Sequence, residues 1–198
     1  MSIYLRSFTK KARNALLDLP EMRRHNAEMN DDPATPIPDQ ARDLSWGLSN
    51  RLFFRLYQCT NMLHKTGTKA LEAHSITTQQ WAVLGALTRP TFVPGVAVGD
   101  LATFLLVSRQ NLAGVLQRLE AMAYIERVVD PKDSRSRLIL LTAKGRSLWD
   151  ANMRPVIADY YREALAGFST EDKIHLVHYL DKMLRNFKAI DPDPTGGK

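Results

Sequence analysis

Between residues 100 and 142 the chain reads DLATFLLVSRQNLAGVLQRLEAMAYIERVVDPKDSRSRLILLT. The hydrophobic period there shifts from that of a helix to that of a strand, which restricts the fold to two short helices, a strand, a charged turn and a second strand. In the second helix, Ser108 precedes a segment where Leu112, Val115, Leu116, Leu119 and Met122 recur at helical spacing and so form one buried stripe. The Ser108 hydroxyl is placed to accept from a backbone N–H of the first turn and cap the helix. The opposite face carries Gln110, Ala113, Gly114 and Gln117, flanked by Arg109, Asn111 and Arg118. Polar residues alone make an ordinary solvated face. This set also suits the major groove of DNA, because small residues permit close approach, amides pair bidentately with adenine, and arginine pairs with guanine.

Two apolar or alternating runs follow, YIERVV and RLILLT, separated by DPKDSRS. Asp130-Pro131 and Asp133-Ser134 are turn formers, so the pair reads as a β-hairpin with a basic tip. Lys132, Arg135 and Arg137 can neutralise phosphates, and an arginine at such a tip can enter a minor groove. A charged turn by itself carries little meaning. Behind a helix pair with a polar outward face, it completes a winged helix-turn-helix.

The run DPKDSR at 130–135, followed by LTAKG at 141–145, resembles the wing signature D-x-R-D-x-R…L-T-x-x-G of the MarR family, the multiple antibiotic resistance regulators. The likeness extends through DLA at 100–102, VS at 107–108 and RLE at 118–120. It implies a dimeric winged-helix DNA-binding regulator, a repressor released from DNA by a small aromatic acid or phenol. Carried over by position, it implies that Ser108, Arg109, Gln110, Asn111, Gln117 and Arg118 belong to the recognition helix and that Arg135 is the wing arginine. Asp133 matches the wing acid, which implies an ion pair to Arg118 or Arg135. Two positions depart from the pattern. Lys132 stands where arginine is usual, keeping the charge and losing planar bidentate geometry. Ala123 stands where the helix would end in glycine, and a left-handed alanine there costs about 1 kcal/mol.

With 198 residues, 44% of them apolar and 24% charged, the chain has the composition of a globular protein able to bury a sizeable core. A formal net charge of +6 favours a polyanionic partner such as double-stranded DNA. No apolar run has the length of a membrane span, and the N-terminal sequence lacks a signal peptide's apolar core, so a cytoplasmic protein is expected. Cys59 is the single cysteine, which excludes an intrachain disulfide. No glycine-rich phosphate loop or nucleophile elbow is present, so neither an enzyme nor a cofactor is expected. His175 and His178 share a helical face without a third ligand at metal spacing, and no metal site is expected.

The expected fold is mostly α (α+β), a winged helix-turn-helix lobe with a two-stranded wing, flanked by N- and C-terminal dimerisation helices. Residues 1–43 read as an extension and linker: Ile3, Leu5, Phe8, Ala12, Leu16 and Leu17 mark a short amphipathic helix, and NDDPATPIPDQ is linker-like. Residues 44–190 form the MarR-like domain, with the winged unit at about 76–142 and dimerisation helices at about 44–72 and 143–189; 191–198 read as a flexible tail. The stretch RPTFVPGV at 89–96 reads as an irregular link, and Pro155 as a kink in the helix after Thr142. The outer helices carry more apolar surface than one small lobe absorbs, so they are expected to meet a second copy. A two-fold dimer would place two recognition helices on a pseudo-palindromic operator.

The resemblance puts an effector between the dimerisation helices and the winged lobe. Ser49, Asn50, Phe53 and Tyr57 follow helical spacing in an apolar segment, with Trp81 as an aromatic wall and Arg51 or Arg55 to meet a carboxylate. Aromatics at this spacing also serve as ordinary core. A redox-responsive regulator is the alternative: FFRLY at 53–57 resembles the CF-x-LY segment of hydroperoxide-sensing members, but Phe53 occupies the sensor position and Cys59 is read as a small packed residue. A nonspecific architectural DNA-binding protein is the other alternative.

Overall fold

The computed structural model describes residues 39–192. The amphipathic helix expected within 1–43, most of the proline-rich link and the tail from 193 lie outside the described residues. The chain divides between Leu52 and Phe53 into two compact units. The first helix, α1 (Asp39–Ala70), runs across that division. In the first unit it exposes Leu44, Trp46, Leu48 and Leu52.

The second unit continues through α2 (Thr78–Leu87), β1 (Val96–Ala97), α3 (Val98–Leu105) and α4 (Arg109–Ala121). It ends with β2 (Ile125–Asp130), β3 (Asp133–Leu141), α5 (Ala143–Ser147), α6 (Arg154–Ala164) and α7 (Thr170–Ile190). Thr77 and Gln80 close a capping box at the start of α2, which satisfies two N–H groups that have no partner within the helix. Gly67 lets α1 approach α2, since a Cβ there would lie 2.8 Å from Thr78 Cγ2.

The core sits where α2, α3 and α4 meet the sheet, with Leu84, Leu101, Leu112, Leu116, Leu119, Ile125 and Ile139 fully buried. The stripe predicted on α4 is buried except for Met122, which is half-buried because it already belongs to the helix end.

The sheet has three antiparallel strands in the order β1-β3-β2, where the sequence predicts a two-stranded wing. The added strand falls at the end of the stretch read as an irregular link, with Val96 paired to Ile139 and Ala97 to Leu138. Two residues are too few to show a period, and this strand exists only because β3 offers it a ladder. The hairpin also turns more tightly than expected. Asp130 pairs with Asp133, and a register shift leaves Ser134, Arg135 and Ser136 bulging from β3 rather than forming a loop.

The helix after Thr142 changes its winding ahead of Pro155. Between α5 and α6, residues Leu148–Met153 form a π-helical turn in which the Arg154 N–H donates to the Trp149 carbonyl five residues back. Proline cannot donate an N–H and clashes with the carbonyl of the preceding turn, and the wider turn makes room for Pro155. Gly167 (φ +83°) separates α6 from α7, whose Ile174, Val177, Leu180, Leu184 and Phe187 are exposed. Among the described residues no helix is long and apolar enough to cross a membrane.

Candidate nucleic-acid interface

Helix α4 presents the face expected of it. Ser108 caps it by accepting from the Asn111 N–H at 3.2 Å, and Arg109, Gln110, Asn111, Ala113, Gln117 and Arg118 are exposed opposite the buried stripe. The two arginines lie close to the protein surface. A Cβ built on Gly99 would stand 3.3 Å from Arg109 Nη2, so this guanidinium rests along the start of α3. Arg118 lies over Gly114, with Nη1 3.8 Å from the position of a Cβ there. Leu106 makes the turn between α3 and α4 in the left-handed conformation (φ 55°).

The wing is built by its acids acting on backbone. Asp130 Oδ1 accepts from the Lys132 N–H at 2.8 Å and Asp133 Oδ1 from the Arg135 N–H at 3.0 Å, which fixes the tight turn. The ion pair expected between Asp133 and Arg118 or Arg135 is therefore replaced by a local backbone bond. Lys132, Arg135 and Arg137 are exposed, and Arg137 Nη1 donates to the Ser134 and Ser136 carbonyls at 3.2 and 3.3 Å. Lys132 holds the tip, while Arg135 and Arg137 stand on β3.

Two connections escape a reading of the sequence alone. Glu120 at the end of α4 pairs with Arg127 on β2, with Oε2 and Nε 3.1 Å apart, and so ties the wing to α4. The LTAKG run holds the chain where α4 ends. Thr142 Oγ1 donates to the Ala123 carbonyl at 2.8 Å and Lys144 Nζ to the Met122 carbonyl at 2.9 Å. The Thr142 N–H reaches the Tyr124 carbonyl at 3.1 Å, and a Cβ on Gly145 would overlap that same oxygen. The motif carried the signal, but its partners appear only in the fold. Ala123 is left-handed, φ 58°, so the cost attached to an alanine in that conformation applies.

The residues expected around an effector fall in both units. Ser49, Asn50 and Arg51 are exposed on α1 in the first unit. Phe53 and Tyr57 are exposed in the second, Phe53 with its ring 6.2 Å from that of Phe187, and Arg55 Nη1 donates to Gln58 Oε1. Trp81 is half-buried, and where α1 walls the spaces beside it, the residues are Leu63, His64, Gly67 and Ala70. Cys59 is exposed, contrary to its reading as a packed residue, because none of the described residues covers this turn of α1. Among the described residues no cluster of histidine, cysteine and acids could hold a metal ion.

Two helices joined by a tight turn, the second capped and polar outward, with a basic hairpin tied to its end, define the winged helix-turn-helix class. The sequence profile of the MarR family matches residues 74–136. The transcriptional activatory protein BadR of Rhodopseudomonas palustris is 54% identical over 158 residues, covering 80% of this chain and 90% of BadR. Among solved structures, S. aureus MepR in complex with DNA superposes with a TM-score of 0.62 at 24% identity, covering 69% of this chain and 97% of MepR. Bordetella bronchiseptica BpsR, whose DNA binding is regulated by 6-hydroxynicotinic acid, gives 0.59 at 22% identity over 67% of this chain and 98% of BpsR. The chain belongs to the MarR family of transcriptional regulators.

Proposed function

We propose that this chain is a homodimeric, sequence-specific regulator that reads a pseudo-palindromic operator with α4 and steadies itself on the backbone with the wing. The observation that carries the reading is the two-sidedness of α4: Leu112, Leu116 and Leu119 are buried on one side, and Gln110, Gln117 and the flanking arginines face solvent on the other. Gln110, Asn111 and Gln117 pair with base edges, Arg109 and Arg118 swing from their resting places to bases or phosphates, and Lys132, Arg135 and Arg137 meet the backbone or minor groove. Support for a dimer comes from α7, which exposes a row of aliphatic side chains that a solitary helix does not keep in water.

The sign of regulation is read as activation, since the relative at 54% identity is named for that activity, although the family resemblance in the sequence implied repression. The signal is read as a small aromatic acid or phenol acting in the cytoplasm, in keeping with the 6-hydroxynicotinic acid that regulates BpsR. No catalytic role is proposed. The two kinds of contact separate in a binding assay across operator variants. Gln117→Ala is expected to relax preference at one base position and Arg135→Ala to weaken all sequences alike, each by about 1–3 kcal/mol. Unchanged affinity and selectivity in both variants would refute these roles.

A further inference from the structure

Glycine inside a helix destabilises it relative to alanine, because it loses more backbone freedom on folding and brings no side chain to pack. A helical glycine therefore needs a reason, and most of those among the described residues have one within the chain. A Cβ on Gly67, Gly85 or Gly145 would stand under 3.0 Å from Thr78, from Trp149 or from the Tyr124 carbonyl, and one on Gly99 would press on Arg109 Nη2 at 3.3 Å. Gly114, in the middle of α4, has no such reason among the described residues. Its backbone is ordinary right-handed helix. A Cβ there would meet Arg118 Nη1 alone, at 3.8 Å, which is ordinary contact with the movable end of a long side chain. The other open glycine of a helix, Gly47, lies on α1 in the stretch read as meeting a second copy of the chain.

The position of Gly114 says what it would meet. It follows Gln110 by four residues and precedes Gln117 by three, so it lies between the two amides on the outward face, beside the exposed Ala113 methyl. At 1.5 Å per residue those amides are about 10 Å apart along the axis, which is too far for them to share one base pair. The surface between them is apolar: a bare Cα and one methyl group. Hydrogen-bonding groups fill most of the major-groove edge of DNA, and the apolar group it presents is the thymine 5-methyl. Glutamine suits adenine, whose partner carries that methyl in the same groove.

We infer that Gly114 seats a thymine 5-methyl group of the operator, so that α4 selects this base by shape at the point of closest approach. This rests on the reading of α4 as the base-reading helix and names the base met at its centre. The missing side chain weakens the helix and leaves room for the DNA.

The test pairs Gly114→Ala, in the full chain, with the duplex that the parent chain selects from a random pool. Each thymine of that duplex is replaced in turn by deoxyuridine, which removes its 5-methyl. Gly114→Ala is expected to raise Tm by about 2–4 °C, because alanine favours the helix. It should also bind the selected duplex at least about tenfold more weakly, because its methyl competes with that of thymine. The two changes should not add. At one thymine of each half-site, deoxyuridine should weaken the parent chain yet restore at least about fivefold of the affinity that Gly114→Ala lost, since the removed methyl makes room for the added one. Recovery at no thymine overturns the assignment. So does a variant that binds the selected duplex as tightly as the parent, which would mean that nothing approaches Gly114. A fall in Tm would show that the added methyl is met inside the protein and would make Gly114 a packing residue. A parent chain that selects no consensus overturns the base-reading role of α4 and this inference together.

Discussion

At the scale of single residues, the end of α4 is where small changes have large effects. Gly145 packs against the Tyr124 carbonyl, and any side chain there must push the start of α5 away from the strand entry. Backbone is the neighbour, so relaxation is expensive; Gly145→Ala is expected to destabilise by at least about 3 kcal/mol, read from the denaturant midpoint. Ala123 offers the reverse. It sits at φ 58° without glycine's freedom, so Ala123→Gly should stabilise by roughly 0.5–1 kcal/mol in the same assay. A loss of stability in that variant would show that the alanine methyl makes a contact worth more than the strain. The sequence marked Ala123 as the position to check, because a motif normally places glycine there. The demand on Gly145 was not legible, since it comes from a carbonyl more than a helical turn away in the chain and is brought close only by the Thr142 bonds.

Elements were legible in proportion to their length and to the chemistry at their ends. Helix α4 combined a period with a serine cap, and it lies where the sequence put it. Strand β1 did not, having too few residues for a pattern, and the π-turn before Pro155 was legible only as trouble at a proline. The start of α7 makes a prediction of its own. Ser169 backbone and hydroxyl hydrogen bonds to Asp172 hold its carboxyl below the ordinary range, with His175 adding a smaller push the same way against slight desolvation. A carboxyl with a depressed folded pKa contributes stability above its unfolded pKa and loses it as the pH falls through the folded one. Helix α7 should therefore fray from its N-terminus under acid, seen as faster amide exchange over 169–173, and Asp172→Asn should blunt that pH dependence. Equal acid sensitivity in the variant would remove Asp172 as the cause.

At the scale of the molecule, the reading lobe was legible because its chemistry is local: cap, stripe, polar face and basic hairpin follow one another within 100–142. The grooves on its surface were not, because each is made by elements far apart in sequence. Trp81 was named from its aromaticity, while Trp149, Arg89 and Arg154 come to it only through the packing of α6 on α2 and α3. The same holds for association, where exposed aliphatic rows on α7 give the motive but not the geometry. A positive chain of this kind could hold DNA with or without preference, and that difference is the central claim. It is tested most directly by letting the full chain select duplexes from a random pool and then measuring the selected and scrambled sequences side by side over a range of salt. The expected outcome is a pseudo-palindromic consensus with half-sites about 10 base pairs apart, bound at least about 10³-fold tighter than the scrambled duplex. Affinity should fall steeply with salt as lysine and arginine release counterions. Enrichment of no consensus, or equal affinity for selected and scrambled DNA, would contradict the account and leave a protein that grips the backbone without reading it.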